Sequence, residues 1–466
     1  MMLRIAPVFT NDAITIGILI VALALIFHTA SLESKGWKKF YSIIPSLLLA
    51  YFIPAFLNWP LGLIAPHWYN DGLYDLLASN NLTLPTGLSY DEITNFLRDN
   101  NVPSDELKAV QGHSQLYYVA SRYLLPASLI LFCIGIDFKG IRNLGPKAII
   151  MFLAATLGII IGGPIALLLV SCISPSTIGG SADDIWRGFS TVAGSWIGGG
   201  ANQTAMKEIY QVKDNLFGTM IVIDVVVANI WMGFLLYGAN ISDKIDGWLK
   251  ADNSAIEDLK NRVANYRASI EEMPTATKLF VLFGFAFGGV ALSHFGADIL
   301  TPFMKGFSET LSKLRLDSLM SHFFWLIVIS TTFGLILSFT KARKLEGVGA
   351  SRWGSIFIYI LVATIGMKMN LGEVFNNLGL FAVGITWMLV HVIILLLVAK
   401  LIKAPFFFVA VGSQANVGGA ASAPIVASAF NPSLAPVGVL MAVLGYALGT
   451  YGAIICATLM QMVSGG

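Results

Sequence analysis

Long apolar blocks separated by short charged turns run along this chain, and a helix needs about 20 mostly apolar residues to cross a bilayer. Ten blocks meet that requirement, some marginally: 12–31, 42–64, 116–137, 147–171, 214–238, 277–297, 320–340, 354–370, 379–400 and 434–460. Two more, 187–213 and 405–433, are apolar but rich in glycine and small polar residues. Each is shorter than the roughly 40 residues that two full crossings need. Each is therefore one broken crossing or a hairpin that enters and leaves on the same side.

Charge decides between these. With both segments read as hairpins and the N-terminus outside, the inside loops include 31–41, 137–147, 340–353 and 400–404. Those four hold twelve basic residues, against five in the longer outside loops 65–115, 173–186, 298–318 and 370–379. This is the positive-inside bias, and it supports ten spans plus two hairpins with both termini outside. The polar stretch 65–115 carries seven acidic and two basic residues and reads as a small external cap. Within it, Ser89 with Glu92 fits a capping box and Ser104-Asp105-Glu106 fits a second helix start. Near the N-terminus, Arg4 precedes an apolar run as in a signal peptide, but "FHTASLES" offers no small-x-small cleavage site, so a retained first span is expected.

Composition agrees with the block pattern. Of 466 residues 56% are hydrophobic and 12% charged, with a mean hydropathy of +0.74. A soluble domain carries about 25% charged residues. A net charge of +2 is no signature of nucleic-acid binding. Cys133, Cys172 and Cys456 lack metal or disulfide spacing and read as small apolar side chains.

The two halves echo each other. "IGIDFKGIRNLG" (134–145) resembles "IGMKMNLGEVFNNLG" (365–379) once three residues are inserted. "GGGANQTAMKEIYQVKDNLFG" (198–218) lies over "GGAASAPIVASAFNPSLAPVG" (418–438) at an offset of 220, pairing Gly198 with Gly418, Gly199 with Gly419, Ala201 with Ala421 and Gly218 with Gly438. With five spans per half, an odd number, the second half enters the membrane upside down. The expected architecture is an all-α polytopic membrane protein, an inverted repeat of 5+5 spans whose hairpins meet near the midplane. Residues 1–238 would form the first repeat, 239–276 a central cytoplasmic loop, and 277–466 the second repeat. Broken helices in inverted repeats mark secondary transporters, because irregular backbone survives at that depth only where protein or a water-filled cavity satisfies it. The other reading is that the glycines only permit close helix packing.

Candidate solute-binding residues follow from the hairpins. The first supplies Ser195, Gly199, Gly200, Asn202, Gln203 and Thr204; the second supplies Ser413, Gln414, Asn416, Gly418, Gly419 and Ser422, with Pro424 opening its returning half-helix. Glycine lets the chain reverse, and amides at half-helix starts offer partial positive charge to an anion. Neutral oxygens and amides suit a partly dehydrated sodium ion and a carboxylate alike; backbone caps and interhelix bonds are the competing reading. Asp224, midway along "NLFGTMIVIDVVVANIWMGF", is the costliest residue in the chain, since a charge at a helix centre costs roughly 2.5–3.5 kcal/mol even on a lenient scale. It reads as a cation ligand, a proton carrier or half of a buried pair. Asn229 and Thr450 join it as candidate coupling residues, and a sodium site near Asn202, Asn416 and Asp224 is conceivable. Tyr446 and Tyr451 could line the cavity. Lys207 beside Glu208 either holds a solute carboxylate or snorkels. Asp137 and Lys368 suit interfacial roles, and His391 reads as a packing residue rather than a relay. No phosphate-loop motif appears, and no HExxH, CxxC or GxSxG, so neither ATP-driven transport of that kind nor an enzyme is indicated. An intramembrane hydrolase built on Asp224 and His391 would still lack a nucleophile paired with a base.

On "GSWIGGGANQTA" and "GGAASAPIVASAFNPSLAPVGVLMAVLGYALGTY" the chain resembles the YjcL-like family of bacterial and plastid membrane proteins, a domain of unknown function. The resemblance runs from about residue 116 to the C-terminus and leaves out the 65–115 insertion. At one remove the architecture is similar to the sodium/glutamate and 2-hydroxycarboxylate symporters. That similarity implies an elevator motion of the hairpin-bearing domain, a homodimeric scaffold and a bacterial inner-membrane location; fold analogy does not carry a substrate. The expected function is coupled transport, with sodium or a proton as coupling ion, of a small carboxylate-bearing solute such as an amino acid, short peptide or organic acid. The rivals are a cation/proton antiporter using Asp224 and a membrane enzyme or receptor that moves nothing. No cofactor beyond the coupling ion and no nucleic-acid partner is expected.

Overall fold

The computed structural model describes residues 6–44, 46–85, 90–136, 142, 144–173, 181–251, 274–313, 317–369, 379–431 and 434–464. Asp137, Ser89 and most of the central 239–276 loop lie outside the described residues. Hydrocarbon offers backbone groups no water, so apolar blocks must close their hydrogen bonds internally as helices. Among the described residues seven helices are long and apolar enough to cross a membrane: Asp12–Ser31, Leu116–Ile134, Pro146–Ile173, Asp214–Asn240, Ala276–Lys305, Leu380–Ile402 and Val437–Ser464. An eighth appears if His322–Ser338 and Lys341–Val348, bent by 99° at their junction, count as one span. The molecule is an all-α polytopic membrane protein.

Three of the ten expected blocks form shorter helices. The 42–64 block becomes Ser46–Asn58 with Pro54 inside it, then a turn through Gly62 at φ 60°. Residues 320–340 yield the 17-residue His322–Ser338, and 354–370 shifts to Ala350–Gly366, also 17 residues. Conversely, Ala276–Lys305 continues eight residues past the expected end at 297. Several helices start on short polar side chains that accept an otherwise unpaired amide: Asn11 from Ala13, Ser181 from Asp184, Thr275 from Lys278 and Ser321 from Phe324.

By compactness the chain divides into two units, one of Met1–Arg122 with Tyr359–Val374, the other of Tyr123–Ile358 with Phe375–Gly466. In the first, Asp12 accepts from the Ser114 hydroxyl at 2.6 Å and from the Gln115 amide at 2.9 Å, tying the polar insertion to the first helix. The insertion has its own small core of Tyr69, Leu73, Ile93, Leu97 and Leu107. Its helices Tyr90–Asp99 and Ser104–Val110 fall where the start signals put them, the cap position of the second falling on Pro103, which makes no side-chain cap. Beside them the strands His67–Tyr69 and Gln111–His113 pair antiparallel, three residues each and too short to show periodicity. Asn58 closes on the same unit's Met367 carbonyl at 2.8 Å.

The second unit holds both glycine-rich segments. One of its apolar clusters joins Met151 and Phe152, Leu395, Phe406 to Val411, and Val437, Met441 and Ala442. Trp387 locks Leu380–Ile402 onto Pro146–Ile173 by donating its indole N–H to the Ile159 carbonyl at 2.8 Å. Its ring lies 5.1 Å from that of Trp196 in the first glycine-rich segment.

Candidate functional site

Each glycine-rich segment folds as two half-helices with a break at glycine. The first runs Ala182–Gly198, breaks at Gly199, and resumes as Gly200–Ile209. The second runs Phe406–Val417, breaks at Gly418, and resumes as Gly419–Phe430. Gly199 has φ +76° and Gly419 φ +59°, conformations a residue with a Cβ adopts only under strain, and these two positions are one of the pairs aligned by the offset of 220. The first chain reverses on itself: a Cβ on Gly194 would fall 2.6 Å from the Asn202 carbonyl oxygen. Pro424 sits inside the second returning half-helix rather than at its start, because the left-handed turn at Gly419 already launches the helix five residues earlier.

Exposure picks out the breaks. Every residue from Gly188 to Lys207 is buried except Gly199 and Gly200; every residue from Ala404 to Val417 is buried, and Gly418 and Gly419 then are not. A Cβ on Gly200 or Gly419 would meet no atom within 4 Å. Both breaks also lean on the final helix, where a Cβ on Gly445 would come 2.7 Å from the Ile197 oxygen and 3.6 Å from the Ala415 oxygen. In the first segment the break is thus the open point of an otherwise buried stretch; in the second, exposure begins at the break and continues along the returning half-helix, where Ile425 is 55% exposed.

Asp224 lies in Asp214–Asn240 and is 5% exposed. Its Oδ2 accepts from Ser195 Oγ at 2.6 Å and Gln203 Nε2 at 3.0 Å, and its Oδ1 from Trp196 Nε1 at 2.7 Å. Ser195 and Trp196 end the entering half-helix and Gln203 begins the returning one, so one carboxylate grips both arms of the first hairpin. Charge-assisted bonds of this kind are the strong ones, and three of them offset much of what burying the charge costs. Asn202 belongs to a separate chain. Its Nδ2 donates to the Gly198 carbonyl at 2.9 Å, while Thr450 Oγ1 donates to its Oδ1 at 2.6 Å. Having spent its one proton there, Thr450 accepts from Thr331 Oγ1 at 3.2 Å.

The second hairpin is held by other helices. Ser413 Oγ accepts from Trp231 Nε1 and bonds His391 Nε2, both at 2.8 Å. Asn416 Oδ1 accepts from Thr156 Oγ1 at 2.8 Å, and its Nδ2 donates to the Gly412 and Phe152 carbonyls. Gln414 Nε2 donates to Ser422 Oγ at 2.6 Å.

The residues singled out from the sequence are therefore partly assembled. Ser195 and Gln203 meet at Asp224, Asn202 meets Thr450, and Gln414 meets Ser422. Asn202, Asn416 and Asp224, weighed together as a sodium site, each belong to a different hydrogen-bond network. Thr204 and Asn229 bond back to carbonyls four residues earlier on their own helices, at Gly200 and Val225. Tyr446 approaches the first break, its Cε1 3.9 Å from where a Gly199 Cβ would be, whereas Tyr451 bonds Thr332 at 2.7 Å. Lys207 is buried with its Nζ 2.8 Å from Asp214 and 3.5 Å from Glu208, so it neither snorkels nor reaches the break. Lys368 lies 4.1 Å above the Tyr117 ring. Trp196, Trp231, Thr156 and Thr331 were missed. The signal for the two tryptophans was available, since a buried indole N–H requires an acceptor; the threonines carry none, lying in uniformly apolar blocks.

Fold and site together define a multi-span helical membrane protein with two glycine-broken helix pairs packed in one unit. The chain belongs to the family described as protein of unknown function DUF819, whose model matches residues 107–463. It is 23% identical over 348 residues, covering 72% of this chain and 82% of the relative, to the uncharacterized membrane protein YjcL of Bacillus subtilis (strain 168).

Proposed function

We propose that this protein is an ion-coupled secondary transporter of a small carboxylate-bearing solute such as an amino acid, short peptide or organic acid, with sodium as coupling ion. The observation that carries the reading is the pair of helix breaks, partly exposed at the ends of buried half-helices, with Asn202 and Tyr446 beside the first and Gln414 and Ser422 beside the second. In a bilayer, broken helices of this kind are tolerated where they line a cavity, and their exposed amide ends favour an anionic group. Solute binds at the breaks, and the hairpin-bearing helices carry it across as one body against a scaffold shared in a homodimer. The halves are the two members of an inverted repeat, supported by the paired positive φ at Gly199 and Gly419. Two serine hydroxyls do lie against bases, Ser195 at Asp224 and Ser413 at His391, but both are buried, at 7% and 0% exposure, and transport through the partly exposed breaks is the better account.

A second reading, cation/proton exchange by Asp224, draws on one observation: the three groups bonded to that carboxylate are all neutral, so nothing among them compensates its charge. The melting temperature of purified full-length protein against amino acids, dipeptides and organic acids, with and without sodium, separates the two. Stabilisation by a solute only in the presence of sodium supports coupled symport. Stabilisation by sodium alone, lost in Asp224→Asn and at low pH, supports exchange. No response to any of them refutes both.

A further inference from the structure

The second break holds an oxygen that the surrounding side chains leave unmet. Gln414 is 2% exposed; its Nε2 donates to Ser422 Oγ, and its Oε1 is buried with no hydrogen-bond partner among the described residues. A buried acceptor in that state retains its full desolvation penalty, which a bound donor or cation removes.

The surroundings fit a cation. The Gln414 amide lies directly over Gly418, where a Cβ would fall 2.2 Å from Nε2 and 1.8 Å from Ser422 Oγ, so glycine is what admits the arrangement. Gln414 sits in the last turn of Phe406–Val417, whose terminal carbonyls form the negative end of a half-helix dipole. Gly418 and Gly419 beside it are partly exposed, and Gly419 faces open space. The oxygens available are neutral, which suits a monovalent ion; divalent ions draw on carboxylates. At the first break, by contrast, the Asp224 carboxylate is already engaged by three protein donors.

We propose that the second break binds a small monovalent cation through Gln414 Oε1, Ser422 Oγ and the carbonyl end of the Phe406–Val417 half-helix. This deepens the transport reading by seating the coupling cation, and it rests on that reading only for the part the cation plays in flux. The same oxygens would accept free sodium or the ammonium group of a solute.

The test is the melting temperature of the purified full-length protein in choline chloride, titrated at constant ionic strength with sodium chloride or, separately, methylammonium chloride. A saturable rise with either salt is expected, and which salt produces it tells the two sources apart. Gln414→Leu should weaken the apparent affinity at least tenfold, while Asp224→Asn leaves it within about twofold. If Gln414→Leu does not fold, Gln414→Glu carries the test: its added charge should tighten binding several-fold, and an unchanged affinity overturns the proposal. No saturable response to either salt overturns it, as does a response lost in Asp224→Asn and kept in Gln414→Leu. Cation binding at Gln414 without sodium-driven solute flux in proteoliposomes upholds this site and refutes the transport reading. Sodium-driven flux undiminished by Gln414→Leu does the reverse.

Discussion

Replacing Asp224 by asparagine tests whether one carboxylate grips both arms of the first hairpin. Asparagine keeps the shape but has one oxygen and one NH2 where aspartate has two oxygens. Two donors, Ser195 and Gln203, converge on Oδ2 and one, Trp196, on Oδ1, so the amide oxygen takes the Oδ2 place. Its NH2 then faces the indole N–H across about the 2.7 Å that now separates Trp196 from Oδ1. In the unaltered protein Trp196→Phe removes a bond to a charged group, about 1.5–3 kcal/mol, plus whatever the lost ring volume costs. In the Asp224→Asn background the same substitution removes a buried donor that has no acceptor, so relief of that unmet group offsets part of the volume loss. The volume loss and the change in carboxylate desolvation cancel in the double-mutant cycle, leaving a coupling of at least about 1.5–3 kcal/mol. Equilibrium unfolding in detergent for the four proteins measures it. If Trp196→Phe is equally destabilising in both backgrounds, within about 0.5 kcal/mol, the three-donor grip is refuted.

Other consequences can be checked in the same preparations. Gly199→Ala forces a Cβ into φ +76° and should cost about 1–3 kcal/mol, whereas Gly200→Ala, with no atom within 4 Å of the new methyl, should leave the melting temperature nearly unchanged. Thr450→Val removes the donor to Asn202 Oδ1 and leaves a buried acceptor unmet, about 1–3 kcal/mol of destabilisation, read as a lower unfolding midpoint. Lys207→Met strips Asp214 of its buried partner and should lower the midpoint clearly, while any solute found to stabilise the protein keeps its affinity within about twofold; a tenfold loss would put Lys207 in the binding site after all.

Local chemistry made much of the site readable beforehand. Glycine clusters inside apolar blocks marked where the helices break, and the offset of 220 paired Gly199 with Gly419, which both adopt positive φ. Asp224 stood out because a carboxylate in the middle of an apolar run must find partners. Which partners it finds was not readable: Ser195 and Gln203 lie 29 and 21 positions away, and their meeting depends on the chain reversing at Gly199. The sodium trio shows the limit from the other side. Asn202, Asn416 and Asp224 are chemically suited to share an ion, yet each is drawn into a different network by a neighbour on another helix.

What the sequence alone determined is the membrane class, the order of apolar blocks and the places where glycine interrupts them, because those follow from transfer free energy and backbone sterics within short windows. The lengths of the 46–58, 322–338 and 350–366 helices, the strand pair within the insertion, the burial of Lys207 against Asp214, and the division of polar side chains among separate networks were settled only in three dimensions. In an apolar interior every polar side chain must take the partner that packing brings within about 3 Å, and the sequence does not say which helices will be neighbours.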